Sequence, residues 1–144
     1  MKYVRWISIS VTVGFAGFVV PPSSADNLTT MTILTGACKS AMAMDVSVDP
    51  RHCKDKVINM VFPNGRVGFS FVFEKTADDP VVVSFFGEGK KQLHQNADTV
   101  MQPIDRVNVT FQGSTDNLVA AGACRYSNPY RGVPSIVSCT AETN

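Results

Sequence analysis

Between Lys56 and Lys75 the chain reads KVINMVFPNGRVGFSFVFEK, two apolar arms around Asn64-Gly65. Asn-Gly suits the two central positions of a type I′ turn, because both residues tolerate positive φ. A turn there pairs Phe62 with Val67, Met60 with Phe69 and Ile58 with Phe71, giving one large apolar face. The opposite face carries Val61 with Gly68, Asn59 with Ser70 and Val57 with Val72, and is smaller and more polar. The same reading extends along the chain. Val81–Phe86, VVVSFF, is a short strand without alternation, as expected of one buried on both faces. Ile104–Phe111 alternates, with Val107, Val109 and Phe111 on one face. Leu118–Tyr126 and Pro134–Ala141 form a last hairpin. Residues 33–44 send mixed signals, helix from Ala41-Met42-Ala43-Met44 and strand from Thr32-Ile33-Leu34-Thr35. An echo decides for a strand near Leu34–Lys39: Gly36-Ala37-Cys38-Lys39 resembles Gly122-Ala123-Cys124-Arg125. Asp45–Pro50 alternates and breaks at its proline, Thr76–Pro80 and Gln112–Asn117 read as turns, and Glu88–Gln102 as a polar loop. The pattern predicts an all-β, mainly antiparallel fold, a small sandwich or barrel of about six or seven strands.

The N-terminus reads differently. Lys2 and Arg5 precede the apolar run Trp6–Val20, Pro21-Pro22 follows it, and Ser23-Ser24-Ala25 supplies small residues before Asp26. This is the layout of an export signal cleaved after Ala25. The run is short for a membrane span and contains Ser8, Ser10 and Thr12. The expectation is therefore a signal peptide over residues 1–25 and one β domain over 26–144, with no transmembrane segment after cleavage and a periplasmic or secreted location.

Charge and cysteine narrow the picture further. Removing Lys2 and Arg5 from 13 basic and 12 acidic side chains turns a formal charge of +1 into −1. A near-neutral chain has no electrostatic footprint for nucleic acid. All four cysteines, Cys38, Cys53, Cys124 and Cys139, follow the leader. An even number in an exported chain argues for two disulfides. The equal separations 38 to 53 and 124 to 139 favour local pairing, Cys38–Cys53 and Cys124–Cys139, among three possible connectivities.

Candidate chemistry is sparse. His52 adjoins Cys53, but no short Cys-x-x-Cys knuckle supports zinc, so no metal or cofactor is expected. His94 could be grouped on paper with Asp105 and a serine, yet no Ser sits in a Gly-x-Ser-x-Gly setting, and no catalytic residue is assigned. Asp78-Asp79 before Pro80 reads as turn chemistry, and Gly87-Glu-Gly89-Lys-Lys91 as a flexible loop without the phosphate-loop pattern. Asn27 and Asn108 stand in glycosylation sequons, the second inside a strand. The remaining candidate is the loop RYSNPYRG. Tyr126, Tyr130, Arg125 and Arg131 combine residue types enriched at binding hot spots, stiffened by Asn128-Pro129. Against this stands the plainer reading, in which Tyr126 packs at the sheet edge and the arginines solvate a connection.

The blocks NMVFPNGRVGFSFVFE and GACRYSNPYRGVPSIVSCTAE resemble segments of small exported alphaproteobacterial proteins, notably rhizobial ones, without assigned function. The resemblance covers Cys53–Glu142. It implies a Gram-negative envelope setting and a disulfide-bearing β domain, and brings no functional residues with it. In that group the last block continues through an Asp-Gly turn into a further strand, whereas this sequence stops at Asn144, which puts closure of the sheet in question. The function expected is binding or an envelope role without catalysis, the partner being an envelope or secreted protein or a small ligand. The alternatives are a small secreted hydrolase using His94 and an inhibitor of a secreted hydrolase.

Overall fold

The computed structural model describes residues 5–20, 30–43, 46–74, 80–127 and 135–143. They form ten strands: β1 Arg5–Val20, β2 Thr30–Ala43, β3 Val46–Val48, β4 Cys53–Val61, β5 Arg66–Glu74, β6 Pro80–Glu88, β7 Leu93–His94, β8 Thr99–Phe111, β9 Ser114–Ser127 and β10 Ser135–Thr143. All pairings are antiparallel. Eight strands follow one another around a closed ring, β1-β2-β4-β5-β6-β8-β9-β10, and β10 returns to β1. The short β3 pairs with β2 further along the edge that β4 occupies, and β7 pairs with β8 further along the edge that β6 occupies. The fold is the all-β antiparallel one expected, resolved as an up-and-down barrel with more strands than six or seven. Closure leaves the ring no free edge.

The strand that closes the ring is β1. It pairs with β10 from Arg5↔Thr143 to Val13↔Ser135, and with β2 from Ile7↔Ala43 to Val20↔Met31. This is the segment read above as the core of an export signal. Ile7-Ser8-Ile9-Ser10-Val11-Thr12-Val13 alternates strictly, which is strand periodicity inside an apolar run. Ile9 and Val11 enter the core, and Ser8 and Ser10 share hydrogen bonds with Thr140 (3.1 Å) and Ser138 (2.8 Å). The junction Ala25/Asp26 lies outside the described residues, as does the Asp78-Asp79 pair.

The hairpin at the centre of the chain is real, but its register differs by one residue from the Asn-Gly expectation. Val61 faces Val67, Asn59 faces Phe69, and Val57 faces Phe71. Pro63 is the cause. Its fixed φ suits the first central position of a turn that starts at Phe62. The Gly65 N–H donates to the Phe62 carbonyl at 3.0 Å, and Gly65 itself takes the left-handed conformation at φ 79°. The loop is therefore one residue longer than a two-residue turn. The two-residue reversal with positive φ throughout lies instead at Gln112-Gly113 (φ 47° and 75°), between paired Phe111 and Ser114.

The shift exchanges the faces of β4. Val57 is fully buried inside the barrel, whereas Ile58 and Met60 lie outside, opposite Ser70 and Gly68. Ser70 is not on an open polar face. It is buried, and its hydroxyl shares a 2.6 Å hydrogen bond with that of Ser84 on the next strand. Inside, Phe71 and Phe85 meet edge to face at 5.8 Å.

Two more expectations change. Residues 99–102 belong to β8 rather than to a loop, and Gln102 is fully buried. Its Nε2 donates to the carbonyls of Glu88 (3.0 Å) and Pro103 (2.9 Å), so a polar residue occupies an inward strand position. Around the Gly-rich segment, Gly87 is the penultimate residue of β6 and packs under Pro103, whose oxygen would clash with any Cβ there, and Gly89–Lys91 forms a 3-10 turn.

The disulfides are Cys38–Cys53 and Cys124–Cys139, as the spacing argued. Each joins neighbouring strands, β2 to β4 and β9 to β10. The same cysteines flank β1, where Cys38 stands opposite Val11 and Cys139 opposite Ile9. Among the described residues, no helix is long and apolar enough to cross a membrane.

Candidate functional site

In an up-and-down barrel, alternate connections gather at one end. Here that end collects the turn at 62–65, the excursion at 89–98, and the strand ends Val20, Thr30, Ser127 and Ser135. Just inside it lies a cavity of about 200 Å³, lined by Thr32 and Leu34 of β2, Asn59 of β4, Phe69 of β5, Tyr126 and Ser127 of β9, and Val137 of β10. Small barrels hold ligands in such mouths.

The inward register brings these residues together. Thr32 pairs with Asn59, Asn59 with Phe69, and Tyr126 with Val137. β5 and β9 are not neighbours in the ring, yet the rings of Phe69 and Tyr126 lie 5.1 Å apart at 48°. They meet across the lumen and form an aromatic wall. Leu34 and Val137 complete the apolar part, while Thr32, Asn59 and Ser127 bring polar groups.

The polar groups have definite orientations. Asn59 Nδ2 donates to the Gly68 carbonyl at 3.1 Å, which leaves its side-chain oxygen available as an acceptor. Tyr126 Oη accepts from Gln92 Nε2 at 2.9 Å, so its own proton remains to be donated. Burial pushes the Tyr126 phenol above its ordinary pKa, because the phenolate would lose solvation. At neutral pH the residues lining the cavity therefore include a neutral hydroxyl donor and an amide acceptor.

The sequence candidates divide. Tyr126 is half-buried and faces the lumen, as a core-packed sheet residue would, and it also lines the cavity. Arg125 precedes it on the same strand, so it points the other way and is exposed on the outer surface. There it borders a hollow of about 410 Å³ with Ala121, Ala123 and Ser138. Another outer hollow, of about 560 Å³, lies over Ile33, Ile58 and Val72. Both are surface depressions between outward side chains, unlike the lumen cavity. Tyr130 and Arg131 lie outside the described residues, within the connection that joins Ser127 to Ser135 at the cavity end.

The catalytic and metal candidates are dispersed. Cys53 is held in a disulfide, which removes it as a partner for His52. His94 is exposed on β7. Asp105 engages the Arg66 guanidinium through both carboxylate oxygens. Among the described residues, no cluster of three or more His, Cys, Asp or Glu could hold a metal ion.

Of the sequence candidates, Tyr126 lines this cavity; Thr32, Leu34, Asn59, Phe69 and Val137 were not among them. The missing signal was register. With Asn59 and Phe69 assigned to opposite faces, nothing joined them; moved by one residue, they become direct cross-strand partners. No family model matches this sequence, and no curated protein or solved structure matches it either.

Proposed function

We propose that this is an exported β-barrel that works by binding, taking a small, mostly apolar group into the open end of its lumen. The observation that supports this reading is the cavity between Thr32, Asn59, Phe69 and Tyr126. An apolar interior with a few oriented polar groups is the usual form of a small-molecule site. Its size of about 200 Å³ fits a single ring, since engineered cavities of about 150 Å³ take up benzene. A larger ligand would seat one ring or aliphatic branch there and lay the rest across the rim. The Tyr126 hydroxyl would donate to the ligand and Asn59 would accept from it.

Export is part of the reading. Two disulfides fit an oxidising compartment. The leader-like residues 1–25 and the resemblance to exported alphaproteobacterial proteins both favour the periplasm or the medium, with cleavage after Ala25.

The test is the thermal midpoint of the oxidised chain with and without toluene or indole. A ligand at one hundred times its Kd stabilises by about 2.7 kcal/mol. The wild type should gain that stability. Thr32→Phe, which places a ring in the half-buried mouth, should fold and gain none. An equal gain in both proteins would show that the probe binds elsewhere and that the cup is not the site.

A further inference from the structure

Residues 5–20 have two fates that cannot both persist. As the core of an export signal they leave with the leader, and as β1 they close the barrel between β2 and β10. Resting on the cleaved-leader reading above, we propose that the exported barrel carries a one-strand slot between β2 and β10, and that this slot binds an extended segment of another polypeptide by completing the sheet on both sides.

Loss of β1 leaves two facing rows of unpaired backbone groups. One is the edge of β10 that had paired with Arg5–Val13, and the other is the edge of β2 that had paired with Ile7–Val20. Such edges are templates for an added strand, and a strand bonded on both sides gains twice the pairing of one added to a single edge. The slot also exposes the core positions covered by Ile9 (2% exposed) and Val11 (0%). An apolar strip between two free edges is both a sheet template and a hydrophobic groove.

The walls of the slot are braced. Cys38–Cys53 ties β2 to β4, and Cys124–Cys139 ties β10 to β9. Cys38 stands opposite Val11 and Cys139 opposite Ile9, so both staples sit level with the buried centre of the departing strand. They hold each wall as a strand pair when β1 is absent. They also argue against a second copy of this chain as the occupant. A cleaved copy has lost its own β1, its β2, β4, β9 and β10 are stapled in pairs, and β5, β6 and β8 form the middle of its meander.

The seated β1 specifies what the slot accepts. The occupant runs antiparallel to both neighbours. Inward positions take branched aliphatic side chains, since Ile9 faces Cys139 and Ala41, and Val11 faces Val137 and Cys38. Outward positions take small hydroxyl residues that bond Thr140 and Ser138, as Ser8 and Ser10 do. The segment Ser8-Ile9-Ser10-Val11-Thr12 is the template. A proline at its centre would lack a ladder donor, and an inward charge would be buried without a partner.

The test uses the full chain with a specific protease site placed within residues 21–29, folded, oxidised and then nicked. Native mass spectrometry should show the N-terminal fragment still bound. An excess of isotope-labelled Arg5–Gly14 peptide, RWISISVTVG, should displace the fragment and take its place in a one-to-one complex. The same peptide with Ile9→Lys and Val11→Lys should compete at least about 100-fold less well. Equal competition by the lysine peptide, loss of the fragment with no uptake of peptide, or closure of nicked chains into dimers would each overturn the slot. N-terminal sequencing of the protein from the envelope or medium tests the leader separately. Asp26 as first residue supports a vacated slot. Retention of residues 1–25 overturns the proposal through the leader, whatever the exchange shows.

Discussion

Val57 and Ile58 are adjacent on β4, and the structure requires the smaller side chain to matter more. Val57 is fully buried opposite Phe71, while Ile58 is half-buried on the outer surface opposite Ser70. Val57→Ala removes two methylene equivalents, about 1.6 kcal/mol of transfer free energy. If the rigid barrel does not collapse around the site, a residual void of about 50 Å³ adds about 1.2 kcal/mol. The expected cost is thus about 2.5–3 kcal/mol. Ile58→Ala removes three methylene equivalents, but the site stays open to water, so no closed cavity forms and roughly half of the transfer term applies, about 1 kcal/mol. Chemical denaturation of the two oxidised variants decides the matter, provided the slope against denaturant is unchanged. A larger cost for Ile58→Ala would refute the register and restore the two-residue Asn64-Gly65 turn, which puts Ile58 inside.

Three further predictions rest on other parts of the barrel. Ser70→Ala should cost about 1–2 kcal/mol, because it strands the buried Ser84 hydroxyl, and the double change with Ser84→Ala should cost less than the sum of the two; additive costs in a double-mutant cycle would show that the pair does not interact. Gly122→Ala should cost about 2 kcal/mol or more, since its Cβ would lie 2.0 Å from the Thr140 carbonyl oxygen, and an unchanged denaturation midpoint would contradict that packing. The Tyr126 phenol has a raised pKa, so its contribution to stability is complete below the unfolded value of about 10 and is lost as pH rises through the folded value; ultraviolet titration should show one late-ionising tyrosine that disappears in Tyr126→Phe.

Much of the fold was legible in local pattern. Alternation around Val107 and Val109 marked β8, the apolar run at Val81–Phe86 marked β6, and equal cysteine separations gave both disulfides. The rest was hidden wherever one residue carried two signals. Pro63 and Gly65 both punctuate the same turn, and the proline set its start. Gln102 reads as a loop residue until the carbonyls of Glu88 and Pro103 are there to accept from its side-chain amide N–H groups inside. Ala41-Met42-Ala43 favours helix in isolation, and pairing with β1 and β3 overrides it. The apolar run at 6–20 met the requirements of an export signal, and its period of two was read only as interruption by Ser8, Ser10 and Thr12. At the cavity, Tyr126 stood out by residue type, but the other lining residues are supplied by strands distant in sequence.

The closing role of β1 defines the slot, and amide hydrogen exchange of the intact oxidised chain tests it most directly. If β1 is a strand of the ring, the amides of Ser8–Thr12 exchange as slowly as those of the facing segments 136–140 and 37–42. If Ser8–Thr12 exchange as fast as an unstructured leader while β4 to β8 stay protected, the barrel is not closed by this segment.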